Sequence, residues 1–201
     1  MRRITILDRI LTLLAVCLAS YQVVAGIEGL DSFAVSSYTI GFGILLVAGL
    51  LLIILGFEVL ESPHVVVFTT ILPLSLSVGL LDTFYPGHTL GYLLFAVTAF
   101  LAVILTRYLL PGRIALVVLG FTHAVAGLLI FLLPFVVSLQ GAPAPAFAMV
   151  GIGGGLIGVY GLLLSFARAG KPLLSLHTLL GLFPVLLLLA TFAFVIGFSV
   201  L

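Results

Sequence analysis

Few side chains in this sequence can do chemistry. Its 201 residues hold 4 histidines, 6 carboxylates, 7 basic residues and one cysteine. His123 lies near the middle of the apolar run Ile114–Val137, and His177 near the start of the last apolar run. His64 follows Pro63, and His88 closes the polar stretch that begins at Phe84. Neutral imidazoles facing each other across a helical bundle can hold a b-type haem. His123 with His177, or His64 with His177, would be such a pair, although no single run repeats a histidine. A zinc site needs three or four converging ligands, and no spacing here is diagnostic of one. The plain reading of each histidine is a polar group bonded to a carbonyl. Asp82 beside Thr83 ends one apolar run, and Glu58 ends another. A buried carboxylate there can relay protons or cations, whereas at a helix end it marks the interface. Asp82 and His88 flank one short connection, and their contact is the candidate pH-sensitive element.

Catalytic signatures are missing. No serine has a base within its own run, and neither His-Glu-x-x-His nor a paired aspartate motif for lipid phosphotransfer occurs. An enzyme is the least supported class, no catalytic residue is assigned, and haem b is the one cofactor to consider. The net charge of +1 offers nucleic acid no electrostatic footprint.

The elements that must position these groups follow from composition. Hydrophobic residues make up 64% of the chain and charged residues 6%, where a soluble domain has about a quarter of its residues charged. The mean hydropathy is +1.51. Apolar runs of roughly 18 to 25 residues match a helix that spans the bilayer. They do not alternate as barrel strands would. The expected fold is all-α: one polytopic transmembrane bundle over residues 1–201 with about seven helices. The spans fall near Ile10–Ile27, Tyr38–Phe57, Val65–Leu81, Thr89–Thr106, Ile114–Val137, Phe147–Phe166 and Leu173–Leu201. Met1, Arg2 and Arg3 before an apolar run resemble a signal peptide, but no small-residue cleavage site precedes Glu28, so a retained first helix is expected. Cys17, inside that run, reads as a buried structural thiol with no partner for a disulfide.

Charge parity sets the expected orientation, because short cytoplasmic loops are rich in Lys and Arg. With the N-terminus inside a cell membrane and the C-terminus outside, Arg2, Arg3, Arg9, Arg107, Arg113, Arg168 and Lys171 all fall on the inner side. Glu28, Asp31 and Asp82 fall outside. Val65–Leu81 is the least lipid-like span, with Thr69, Thr70, Pro73, Ser75 and Ser77. Removing it alone would scatter the basic residues, so it stays, with its hydroxyls turned into the bundle. The last run is long and is interrupted at Gly181 and Pro184. A kinked or tilted span, an interfacial start or a re-entrant hairpin would each account for it. Tyr38, Tyr85, Tyr92 and Tyr108 fall near interfaces, whereas Tyr21 and Tyr160 lie deeper and are expected to bond a neighbouring helix.

The sixth span contains two small-xxx-small pairs, Gly151 with Gly155 and Gly154 with Gly158. Close backbone contact of this kind holds helices together in lipid. Packing within the chain is the first reading and a homodimer seam the second. Gly41, Gly43, Gly49 and Gly56 repeat the pattern weakly in the second span. Two internal alignments compete. One matches Gly79, Leu80 and Leu81 leading to Pro86 with Gly127, Leu128 and Leu129 leading to Pro134, and builds the chain from helical hairpins. The other pairs spans one to three with five to seven, matching Gly41 with Gly151, Gly43 with Gly153, Leu46 with Leu156 and Pro73 with Pro184.

The hairpin pattern, Gly79 to Pro86 and Gly127 to Pro134 with the glycine-rich helix as far as Leu164, resembles the HdeD-like family of small repeat-built membrane proteins. The resemblance covers about half of the chain and departs from that family's usual six helices. It implies a non-enzymatic protein linked to stress response, with no catalytic residues to carry over. The expected function is thus a non-catalytic membrane protein: a subunit of a membrane complex, or an assembly or stress-related factor. Its partners would be the lipid bilayer and other membrane subunits, or a second copy met through the sixth helix. Alternatives are a small-solute or ion transporter or channel, and a haem b electron-transfer subunit.

Overall fold

Hydrocarbon offers a peptide group no hydrogen-bond partner, so a chain that crosses it must satisfy its backbone internally. The computed structural model, which describes residues 2–110, 112–141, 143–168 and 170–201, does so with helices throughout. They are α1 (Ile6–Ala25), α2 (Ser32–Leu55), α3 (Pro63–Phe84), α4 (Thr89–Leu109), α5 (Arg113–Leu139), α6 (Ala148–Arg168) and α7 (Leu176–Phe198). Among the described residues, these 7 are each long and apolar enough to cross a membrane, which makes this a multi-pass helical membrane protein. Short 3₁₀ turns at Gly56–Glu61, Pro86–His88 and Pro145–Phe147 join several of them.

Helix starts explain most of the difference between apolar runs and observed elements. α1 begins before its run because Thr5 and Asp8 close a capping box: Asp8 N–H donates to Thr5 Oγ1 at 3.2 Å, and Thr5 N–H donates to the Asp8 carboxylate at 2.8 Å. α2 begins at Ser32 because Asp31 accepts from the N–H groups of Phe33 and Ala34 at 2.7 and 3.0 Å. Such polar first turns are invisible to hydropathy. The last run is one unbroken helix that starts at Leu176 and passes through Gly181 and Pro184, so no hairpin turns it back. Gly26, at φ 65°, ends α1 in a backbone conformation that a residue with Cβ rarely adopts.

The helices form a closed ring. α1 packs on α2, α2 on α3, α3 on α5, α5 on α6, α6 on α7, and α7 returns to α1. α4 stands outside the ring against α3 and α5. It leaves a stripe of Leu90, Leu94, Val97, Leu101 and Leu105 exposed, as a lipid-facing helix should. α3 and α7 are the most deeply buried helices. Thr70 and Ser77 of α3 are buried, as the hydroxyl pattern predicts, and they donate to the carbonyls of Val66 and Pro73. Cys17 is exposed, contrary to the expectation of a buried thiol, because α1 turns Ala15, Val16 and Ala19 inward instead.

The ring closes over an aromatic hub. Phe198 of α7 lies 4.7 Å from Tyr38, 5.6 Å from Phe42 and 6.1 Å from Phe147, centroid to centroid. The last two contacts are edge-to-face, the geometry favoured by ring quadrupoles. Glycines let the surrounding backbones approach. A Cβ on Gly151 would sit 2.6 Å from the Phe131 carbonyl oxygen of α5, and one on Gly153 would sit 2.9 Å from the Ala190 oxygen of α7. Gly154 and Gly155 likewise press on Ile130 and Phe131, whereas Gly158 has nothing within 4 Å. The glycine face of α6 is thus consumed largely inside the chain. The glycines matched by sequence are not matched in packing. Gly41 meets Leu76 on the following helix, Gly151 meets the preceding one, and Gly43 meets nothing. Gly79 is pressed by the Tyr38 ring, whereas Gly127 is free of contact.

Gly151→Leu should therefore lower the thermal unfolding midpoint in detergent, at an overpacking cost of about 1–3 kcal/mol or more because a backbone oxygen cannot step aside. Gly158→Leu should leave the midpoint unchanged. Phe198→Ala, which empties the hub, should cost about 3–5 kcal/mol in the same measurement.

Candidate functional site

Proline has no N–H, so a proline inside a helix leaves the carbonyl four residues earlier without its partner. Pro184 does this to Leu180. The Arg2 guanidinium fills the gap: its Nη1 donates to the Leu180 oxygen at 3.1 Å. The same group grips Asp8 with both terminal nitrogens, Nη1 at 3.0 Å from Oδ2 and Nη2 at 3.2 Å from Oδ1. It also lies 5.4 Å from the centre of the Phe57 ring, within cation–π range. Asp8 is buried and accepts in addition from Thr5 Oγ1 at 2.8 Å. This is the one ion pair among the described residues. It ties the segment before α1 to the first turns of α7, across the seam where the ring closes.

Sequence reasoning counted Arg2 toward topology and passed over Asp8. The signal was available. Asp8 is a carboxylate at the start of a very apolar run, and Pro184 guarantees an orphaned carbonyl on a helix that begins on the same side.

Two of the histidines find separate partners. His64 Nδ1 lies 2.7 Å from the Tyr108 hydroxyl and links the start of α3 to the end of α4. His123 sits on the exposed face of α5, with Nδ1 3.0 Å from the Leu119 oxygen of its own helix. His177 lines a surface recess with Arg2, Leu176 and Leu180. No hydrogen bond joins any two of these imidazoles, and no cluster of metal-ligating side chains occurs among the described residues. His88 is exposed in its 3₁₀ turn, where its backbone N–H donates to the Tyr85 oxygen at 2.9 Å. It is not brought onto Asp82. The Asp82 carboxyl instead neighbours that of Asp31 at the end of the bundle opposite the basic residues.

Most interior polar groups are satisfied locally, the buried hydroxyls of Thr89, Ser138 and Tyr160 excepted. Thr12, Thr70, Thr106, Thr122 and Thr191 are buried, and each donates to the carbonyl four residues back. Gln22, the one amide in a span, donates to the Gly26 oxygen at 3.1 Å and helps to end α1. Tyr38 and Tyr92 bond across helices, to Thr83 at 2.9 Å and to Ser77 at 2.8 Å. The two tyrosines expected to do so behave differently. Tyr21 is exposed, and Tyr160 stacks on Phe183 with its buried hydroxyl unpartnered. Space beside Gln22, Tyr38 and Phe42 amounts to about 10 Å³, room for a single water at most.

No family model, curated protein or solved structure matches the chain.

Two outcomes follow from this geometry. Arg2→Ala strands the buried Asp8 carboxylate and should cost about 2 kcal/mol. In a Pro184→Ala background residue 184 regains its N–H, so part of that loss should disappear. A coupling of about 1 kcal/mol in the double-mutant cycle, read from unfolding midpoints, checks this. Separately, the amides of Ala34 and Phe33 hold the Asp31 carboxyl below its ordinary value of 3.8. A carboxyl depressed in the folded state adds stability above its unfolded pKa and loses it as pH falls through the folded one. Asp31→Ala should therefore lower the unfolding midpoint at neutral pH. The gap to wild type should narrow below about pH 4.

Proposed function

We propose that this protein is a non-catalytic scaffold of the cell membrane, acting as a subunit or assembly factor of a larger membrane complex. The observation that carries this reading is the closed interior. The Phe198 hub fills the ring at the end where α7 finishes, a second cluster of Leu52, Phe57, Val59 and Leu180 packs near Arg2, and the buried threonines spend their protons on their own helices. What is left for function is the outer surface, above all α4, α5 and α6, whose exposed faces are almost wholly apolar. The basic end, with 7 bases against the carboxylates of Asp8, Glu58 and Glu61, faces the cytoplasm by the positive-inside rule.

A duplicated design also has support. The packing of α1 on α2, α2 on α3 and α3 on α5 has the same order as α5 on α6, α6 on α7 and α7 on α1. α4 is the linker between the halves, and the two prolines matched by this alignment, Pro73 and Pro184, fall in the two most buried helices. The hairpin alignment has less support, since Gly79 and Gly127 meet different surroundings. The stress-linked reading and the likeness to HdeD-like proteins rest on that alignment.

Affinity purification in a mild detergent should bring down a stoichiometric membrane partner. A protein that stays monomeric and alone would count against the scaffold. Proteoliposomes should show no flux of protons, common ions or small neutral solutes above empty vesicles, and transport there would replace the scaffold with a carrier. The absorption spectrum should lack a Soret band, and one that shows it would replace the scaffold with a haem b subunit.

A further inference from the structure

The basic end carries an open recess of about 340 Å³ between the segment before α1 and the first turn of α7, lined by Arg2, Leu176, His177 and Leu180. Its walls are of two kinds. Leu176 and Leu180 are apolar. Arg2 and His177 bring hydrogen-bond donors.

Arg2 cannot swing away from this recess, because Asp8 and the Leu180 oxygen hold its terminal nitrogens. A guanidinium has five N–H donors, and those contacts leave the Nε–H and one Nη2–H without a protein partner among the described residues. The His177 ring is exposed and has no hydrogen-bond partner among them either. α7 starts in the same two residues that line the recess. Ser175 Oγ accepts from Thr178 N–H at 3.1 Å, so the amides of Leu176 and His177 remain open at the positive end of a long helix. A fixed guanidinium, an imidazole and open first-turn amides make an environment for a phosphate group.

The apolar wall decides between sources of that phosphate. Free phosphate gains nothing from the exposed side chain of Leu176, whereas a lipid places its glycerol and first methylenes against it. The level fits as well, since the recess opens where the apolar body of α7 begins. An anionic headgroup suits it better than a zwitterionic one. No carboxylate lines the recess, and Asp8, which holds Arg2, is already occupied by Arg2 and Thr5, so no lining group pairs with a choline. We propose that this recess binds the phosphate of an anionic phospholipid headgroup.

The test uses full-length protein stripped of lipid in mild detergent. Phosphatidylglycerol, phosphatidylcholine and inorganic phosphate are titrated separately, and bound lipid is read by native mass spectrometry. Phosphatidylglycerol should be retained in preference to phosphatidylcholine. His177→Glu should weaken it by about tenfold, the loss of roughly one charge-assisted contact. Leu176→Trp, which fills the recess without altering its charge, should weaken it comparably. Both positions are exposed, so unfolding midpoints should stay at the wild-type value, and Arg2 is left intact because its loss unclasps α7. Equal retention of the two lipids overturns the proposal, as does phosphatidylglycerol binding that neither variant reduces. Displacement of the lipid by millimolar phosphate would overturn the lipid assignment in favour of the free ion.

Discussion

Hydrocarbon supplies no hydrogen-bond partner, so polar groups inside this molecule are satisfied, with few exceptions, from within the protein. That constraint accounts for the helical backbone, and it also governs the side chains. Threonines and serines that would favour turns in water sit in mid-helix here and donate back to the preceding turn. Where a proline breaks the ladder, the freed carbonyl is dealt with individually. At Pro184 an arginine from the far end of the chain supplies the missing donor. At Pro134 the freed Ile130 carbonyl lies against α6, where only a glycine, Gly154, admits so close an approach.

Cohesion has to come from contact, since apolar surface gains little by leaving lipid for protein. Two devices supply it. Glycines bring α6 within touching distance of both α5 and α7, and aromatic rings fill the centre that small residues cannot. The devices meet at the end of α7, where Gly197 abuts Val150 and Phe198 sits among Tyr38, Phe42 and Phe147. The same economy explains why α4 lies outside the ring. It joins α3 and α5 and presents its leucine stripe to lipid, without adding a residue to the hub.

The sequence made the architecture legible because run length and charge parity report on a single physical fact, the thickness of an apolar slab with unequal sides. It was less informative about helix starts. Thr5, Asp8, Asp31 and Ser175 act through one hydrogen bond each or a few, and a hydropathy average hides them. Burial was not legible either: α7 is among the most apolar helices and also among the most enclosed, so apolarity alone does not distinguish lipid from core. The histidines attracted attention by type, yet His64 and His123 are settled by nearby oxygens. The residues that carry the most structure at the basic end, Arg2 and Asp8, looked like ordinary terminal charges. The two are six residues apart, but the carbonyl that completes the clasp lies at sequence separation 178 from Arg2.

That separation has a consequence for biogenesis. Of these helices α1 is made first and α7 last, yet the two are neighbours, and the arginine before α1 completes the hydrogen bonding of α7. Until the final helix inserts, Arg2 and Asp8 can satisfy each other but the seam beside them stays open. A nascent chain must therefore hold a charged pair at an unsealed edge for most of its synthesis. The order of translation makes closure of this ring wait for α7, and a chain truncated before α7 would present that open edge to the quality-control machinery of the membrane.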